Sequence, residues 1–302
     1  MAQNRQGGGG YNVLPLPDQV LNLTATGGPG GITGTIEVPG DMAGKPVVLT
    51  CQQGGPSLRP FAVMRKEIVV PTPPAGVRAD SFAVGDEVSF LIGPDMWTWL
   101  IVHIGKPGAM YSDSCDGVWV LLKHIYALQQ WNIYDIADYS NSLVIRWLKD
   151  TFVPLLDPVV LSQLRTVKIP YRPGSNGSTI ASGESGLECK AFLLGDYEVG
   201  RSQTKDYYVP ADGVKLDYFS PMTGTGYLER LIATYNGAAA PWWLRSPTTN
   251  SSTGVWRIQE SGYDWTDNAS STNGVRPALI LPRDMLFSAT PNADGTHSPL
   301  AA

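Results

Sequence analysis

Short apolar runs separated by turn residues open the chain. VLNLTAT, ITGTIEV, PVVLTCQQ and RPFAVMRKEIVV are rich in branched side chains, and GGPGG and PGDMAGK divide them. Branched residues suit a pleated, half-buried surface and Gly and Pro punctuate it, so the spacing predicts a small all-β sandwich over 15–70. PTPPAGV follows, and its prolines predict a stiff linker over 71–79. Beyond it VGDEVSFLI, WTWLIVHIG and GVWVLLKHIYAL predict further strands. In YSNSLVIRWLKDTF the period changes. Leu143, Val144, Trp147 and Leu148 recur at helical spacing, Ser140, Asn141 or Ser142 offers an N-cap, and Pro154 ends the pattern. DPVVLSQL predicts a second short helix with Asp157 as cap and Pro158 at its first position. AFLLGDYEVG returns to strand, YLERLIATY sets Leu228, Leu231, Ile232 and Tyr235 at helical spacing, and VWRIQ and VRPALIL predict strands. Helices scattered among strands without a βαβ rhythm indicate an α+β order with antiparallel strands.

Composition adds class and compartment. With 43% hydrophobic and 16% charged residues the chain is globular rather than disordered, while 33 Gly, 24 Pro, 9 Trp and 13 Tyr favour turns, short strands and aromatic packing. Residues 1–14 form a Gly-rich polar arm that cannot bury enough apolar surface to fold alone, a tag, linker or docking segment, and 291–302 is expected as a C-terminal tail. A net charge of −5 with no Lys/Arg cluster argues against nucleic acid and against an anionic membrane as partner. No apolar run approaches the roughly 20 residues that span a bilayer, and MAQNRQGGGG lacks the apolar core of a signal peptide, so synthesis in a bacterial cytoplasm is expected. Three distant cysteines, Cys51, Cys115 and Cys189, make no disulfide framework or zinc set and are expected as buried free thiols. The sequons at Asn22, Asn176, Asn250 and Asn268 are expected chance products of a Ser/Thr/Asn-rich composition.

The segment from Pro241 to Pro277 carries the densest chemistry. WWLRSP and GVRP bracket a stretch dominated by Ser, Thr, Asn, Asp, Trp and Tyr. Trp242 and Trp243 offer large rings for burial, and Arg245 and Arg276 offer planar multi-donor contacts to carbonyls or carboxylates. These four, with Trp147 in the first helix, are the expected structural anchors.

YSNSLVIRWLKDTF (139–152), AFLLGDYEVG (191–200), WWLRSP (242–247) and NGVRPALIL (273–281) together resemble the DUF6273 family, a C-type-lectin-fold domain, over residues 80–290. The same fold serves the variable proteins of diversity-generating retroelements and formylglycine-generating enzymes. The resemblance implies that the segment between the anchors is exposed on a ligand-facing surface. Thr249, Asn250, Ser252, Tyr263, Asp264, Trp265, Asp267, Asn268 and Asn273 are then the candidate ligand-binding residues. Small polar groups supply adaptable hydrogen bonds and Tyr and Trp supply rigid area at low entropy cost, as in antibody paratopes. The competing reading is an ordinary polar loop whose Trp256 and Trp265 pack inward. Catalysis is not expected: no cysteine follows Cys189, so the oxidising pair of the enzyme relatives is missing, and no GxSxG, HExxH or P-loop pattern occurs. Asp264 and Asp267 suit turn capping better than acid–base work. WTDN is only loosely similar to the calcium phrase of sugar-binding lectins, and its oxygens are too few for calcium, so no metal and no cofactor are expected.

These readings converge on a virion or prophage protein: an attachment arm, an Ig-like or fibronectin-type-III-like module resembling those of phage virion proteins, and a lectin-like domain that binds a host cell-surface protein or glycan. Attachment to other virion proteins through the arm is expected, as is a homo-oligomer, a trimer by analogy with fibres. The alternative is a capsid-decoration or tail-assembly protein without a host ligand. A third is a glycan-processing enzyme.

Overall fold

The run Gly117–Leu122 is buried at every position. A strand with both faces covered belongs at the centre of a sheet, and its uninterrupted GVWVLL reads accordingly. The computed structural model places it there. It describes residues 23–28, 31–36, 46–50, 65–69, 76–174, 179–200, 208–220 and 226–301. The expected arm at 1–14, Cys51, the sequons at Asn22 and Asn176, and much of 15–75 lie outside the described residues.

The chain divides into two compact units, Met1–Pro73 and Pro74–Ala302. In the first, strand β1 (Leu23–Gly28) pairs antiparallel with β2 (Gly31–Ile36), and β3 (Pro46–Thr50) pairs antiparallel with β4 (Arg65–Val69).

The second unit is mixed α+β, mostly strand. It begins with β5 (Gly76–Arg78), which pairs with β20 (Leu286–Ser288), so the end of the expected linker is already sheet. One five-stranded sheet runs β12 (Ala191–Phe192), β19 (Ala278–Leu281), β8 (Gly117–Leu122), β7 (Asp95–Gly105) and β6 (Glu87–Ile92), all antiparallel. The other runs β17 (Asp264–Asn268), β16 (Gly254–Ile258), β15 (Trp242–Pro247), β18 (Thr272–Val275) and β9 (Ala127–Gln130). Its β15–β18 pair is parallel. Pairs of short strands complete the unit: β10 (Val167–Ile169) with β11 (Leu187–Cys189), and β13 (Ala233–Tyr235) with β14 (Ala238–Ala240). Residues 291–301, expected as a tail, fold back: His297 bridges Val88 of β6, and Thr296 is buried with its hydroxyl 2.7 Å from that of Ser89.

One continuous apolar cluster draws on both sheets and on the first helix. Trp99 stacks on Phe90 at 4.7 Å, and Trp119 meets Tyr111 and Phe192 edge-on at 5.5 and 5.4 Å. Such ring pairs contribute about 0.5–1.5 kcal/mol each beyond the area they bury.

The helices are shorter than their sequence patterns. Helix α1 covers only Leu143–Trp147, capped by the Ser142 hydroxyl, which accepts from the Ile145 N–H. It widens into a π turn at Leu148–Phe152 before Pro154. The wider turn carries Leu148 and Phe152 into the core while Lys149 and Asp150 face solvent. Helix α2 (Pro158–Gln163) is capped by Asp157. Helix α3 is Gly226–Leu231 and stops before Tyr235, which lies in β13. AFLLGDYEVG forms a strand only at Ala191–Phe192; Asp196 to Gly200 turn, where the Glu198 carboxylate accepts from the Gly195 N–H and the Asp196 N–H donates to the Ser246 hydroxyl instead of to a ladder.

Candidate functional site

The site is built on β15. All six residues of WWLRSP are buried. The Trp242 indole donates to the Leu231 carbonyl at 2.8 Å, and the Trp243 indole donates to the Gln129 carbonyl at 3.0 Å. Each ring is thus buried without an orphaned N–H. Arg245 is wholly buried. Its Nε donates to the Pro170 carbonyl at 3.0 Å, Nη1 to the Leu193 carbonyl at 3.1 Å and Nη2 to the Asp212 carbonyl at 2.7 Å. The same fork grips Glu198 with Nη1 to Oε2 at 2.5 Å and Nη2 to Oε1 at 2.7 Å. Burial alone would lower the guanidinium pKa, but the Glu198 carboxylate outweighs it and the net direction is upward. A bidentate buried pair of this kind fixes geometry at a desolvation cost that every remaining hydrogen bond helps offset.

Around it the network continues. Tyr111 donates its hydroxyl to Glu198 Oε1 at 2.7 Å, and Ser246 Oγ lies 2.9 and 3.0 Å from the Asp212 carboxylate oxygens. Burial raises the Asp212 carboxyl to about 6 against the opposing pull of Arg245 and Ser246.

Arg276 marks the second anchor. Its Nε donates to the Leu122 carbonyl at 2.7 Å and its guanidinium lies 5.0 Å from the Trp242 ring centroid. Burial lowers its pKa to about 10. Trp147 is half-buried against Tyr126 and Phe152, at 6.1 and 6.0 Å.

Between the anchors the chain is a sheet more than a loop. It leaves β15, turns at 248–253, runs out along β16 and returns along β17, with Val255 opposite Asp267 and Arg257 opposite Trp265. Beside this hairpin lies a cavity of about 440 Å³, lined by Tyr208, Thr248, Asn250, Ser251, Thr253, Gly254, Trp256, Trp265, Thr266, Asp267 and Asn268. It therefore gathers Asn250, Trp265, Asp267 and Asn268 from the sequence candidates. Thr249, Ser252 and Tyr263 lie outside it. Tyr263 and Trp265 are 52% and 54% exposed, which leaves two large rings accessible on one hairpin. The expectation of Trp256 packing inward fits its 3% exposure, but Trp265 points out.

Asp264 and Asn273 are not on the surface: their exposures are 1% and 5%. Alternation along β17 puts Asp264, Thr266 and Asn268 on one face and Trp265 and Asp267 on the other. Asp267 organises the turn after its strand. Its Oδ1 accepts from the Asn268 N–H at 2.9 Å and the Ser271 hydroxyl at 2.8 Å, and its Oδ2 accepts from Asn273 Nδ2 at 3.3 Å. Arg257 Nε stands 3.4 Å from the same Oδ2.

Tyr208 was not legible as a site residue, because it comes from a segment some forty positions upstream and nothing local marks it. Its carbonyl accepts from the Thr249 N–H at 2.9 Å and the Trp256 indole at 3.1 Å, and so ties that segment to the cavity. The loop at 131–138 was also missed. Asn132 N–H donates to the Ala269 carbonyl at 2.8 Å and Ala137 N–H to the Ser252 carbonyl at 2.9 Å, and this holds Ile133, Tyr134 and Ile136, all more than half exposed, beside the hairpin.

Among the described residues no group of three or more His, Cys, Asp or Glu is arranged to hold a metal. Cys115 is buried and its thiol is pushed up to about 11 by burial; Cys189 is half-buried and is shifted upward by the same cause. A family model described as "Domain of unknown function (DUF6273)" matches residues 116–283, more than half of the chain. No curated protein and no solved structure matches it.

Proposed function

The chain belongs to the DUF6273 family, and on that premise we propose that its second unit is a C-type-lectin-like domain whose β16–β17 hairpin presents a ligand-binding face, with no catalytic role. The observation that carries this is the pairing of exposed Tyr263 and Trp265 with a polar cavity of about 440 Å³ on a hairpin whose first strand pairs with the buried β15. Rigid rings offer contact area and the Asn, Ser and Thr groups around them offer adaptable hydrogen bonds. Asp267, the carboxylate of the cavity, is occupied in shaping its turn, which suits recognition better than acid–base chemistry.

On this reading the first unit is an Ig-like module, the whole chain is a phage or prophage virion component, and the face meets a host cell-surface protein or glycan. Several copies on one particle would raise a modest single-site affinity through avidity. A second reading, a capsid-decoration or tail-assembly protein, draws on Ile133, Tyr134 and Ile136, an exposed apolar cluster suited to a protein neighbour.

Adsorption of the labelled full chain to bacterial cells separates the two. Tyr263→Ala with Trp265→Ala should reduce adsorption by roughly a hundredfold, as for loss of two aromatic hot spots, with a thermal midpoint close to that of the parent. Loss of folding would mean that the rings are structural. Adsorption unchanged by the double substitution, or absent from the parent chain, would favour the second reading, and labelling of intact particles should then find the protein over the head.

A further inference from the structure

A second cavity, of about 480 Å³, opens far from the hairpin in sequence, between α1 with its π turn and the β11–β12 segment. Ile145, Val153, Leu187 and Ala191 give it apolar walls. Its lining includes three cations. Arg146 and Lys149 are exposed three positions apart, so they share one side of the helical segment, and Lys190 comes from the link between β11 and β12. Glu188 is the carboxylate in the lining.

These cations differ from others on the unit. Lys106, Lys123, Lys168 and Arg283 sit 2.6, 2.6, 2.9 and 2.6 Å from Asp113, Glu87, Glu184 and Asp116. Arg146, Lys149 and Lys190 have no carboxylate within ion-pair distance among the described residues. Three unpaired positive charges against one negative, in a chain of net charge −5, form a local field that selects anions. The cavity volume falls within the range of small-molecule pockets.

We propose that this cavity binds an aliphatic carboxylate, its tail between Ile145, Val153 and Leu187 and its head between Arg146, Lys149 and Lys190. The guanidinium of Arg146 matches a carboxylate as a planar fork, and the two ammonium groups add charge without demanding one orientation. Cys189, also in the lining, is a neutral thiol whose pKa burial shifts upward, and so adds no opposing charge. A concave, apolar-walled cavity of this size suits a single small molecule.

Calorimetric titration of the full chain with sodium octanoate tests it. Saturable binding is expected, with octanol and octyltrimethylammonium each at least tenfold weaker. Arg146→Glu with Lys149→Glu, both at exposed positions, should weaken octanoate by roughly tenfold or more while circular dichroism stays unchanged. Lys190→Glu serves as an independent variant should that pair fail to fold. Equal binding of octanol, indifference to charge reversal, or no saturable heat would overturn the assignment. So would charge-dependent binding to phosphatidylglycerol vesicles that octanoate does not displace, which would make the rim a lipid-surface contact.

Discussion

Asp212 shows how one buried residue ties stability to pH. Its carboxylate sits within hydrogen-bond reach of Ser246, its carbonyl accepts from Arg245, and burial raises its pKa from 3.8 to about 6. An acid with a raised folded-state pKa holds its proton more tightly in the native state. The stability it adds is therefore full below about 4 and lost as pH rises through about 6. The span amounts to at most about 3 kcal/mol. Urea titrations from pH 4 to 6 should show stability falling, and Asp212→Asn should flatten that slope; an unchanged slope in the variant would assign the effect elsewhere. Carboxylates with lowered pKa, such as Asp80 and Glu184, act in the opposite direction at more acidic pH. The sequence made Arg245 legible as a donor fork because a guanidinium between Trp243 and Pro247 can only be buried with partners. It did not reveal Asp212 or Glu198 as those partners, since both come from distant turns and carry no local pattern.

At the scale of elements, register decides more than composition does. Read as a bag of polar residues, DWTDN is a loop; read with period two it is a strand whose Asp264 must point opposite to Trp265, and the structure has it so. That alternation was available in the sequence and is what separates the exposed rings from the buried acid. The helix expected between its cap at Ser140, Asn141 or Ser142 and Pro154 was less legible, because a π turn keeps the same apolar residues inward with different spacing. Gly274 illustrates a demand visible only in three dimensions. It sits where β18 runs parallel to β15, and a Cβ there would stand 2.6 Å from Ile125 Cδ1 and 2.8 Å from the Pro241 carbonyl oxygen. Gly274→Ala should cost about 1–3 kcal/mol through overpacking. Gly226→Ala, at a helical position with open space around the added carbon, should be neutral or mildly stabilising. Chemical denaturation of the two variants checks the contrast, and equal effects would show that the sheet yields at Gly274.

For the larger unit as a whole, the phrase GVRPALIL is where its two main sheets become one structure. Val275 ends β18 in one sheet and Ala278 begins β19 in the other, so the chain changes sheets across Arg276 and Pro277. The Pro277 carbonyl accepts from the Leu122 N–H at 2.9 Å, and Arg276 donates to the Leu122 carbonyl while its guanidinium lies over Trp242. β8 at the centre of one sheet and β15 at the centre of the other are therefore clasped by Arg276, and Pro277 adds a second bond to β8. A mixed α+β class was readable from the order of runs, but this junction was not, since VRPALIL reads as one uninterrupted strand. Pro, which cannot donate to a ladder, was the one hint of a break. A clasp of this kind predicts that the sheets lose order together. Arg276→Ala removes a buried hydrogen bond, a cation–ring contact and packing volume, and should cost about 3 kcal/mol. Native-state hydrogen exchange should then show protection falling by similar amounts at Val120 and Leu121 in β8 and at Trp243 and Leu244 in β15. Loosening confined to β15 and its neighbours would mean that the sheets are coupled through the apolar cluster alone, and that the arginine serves only its own strand.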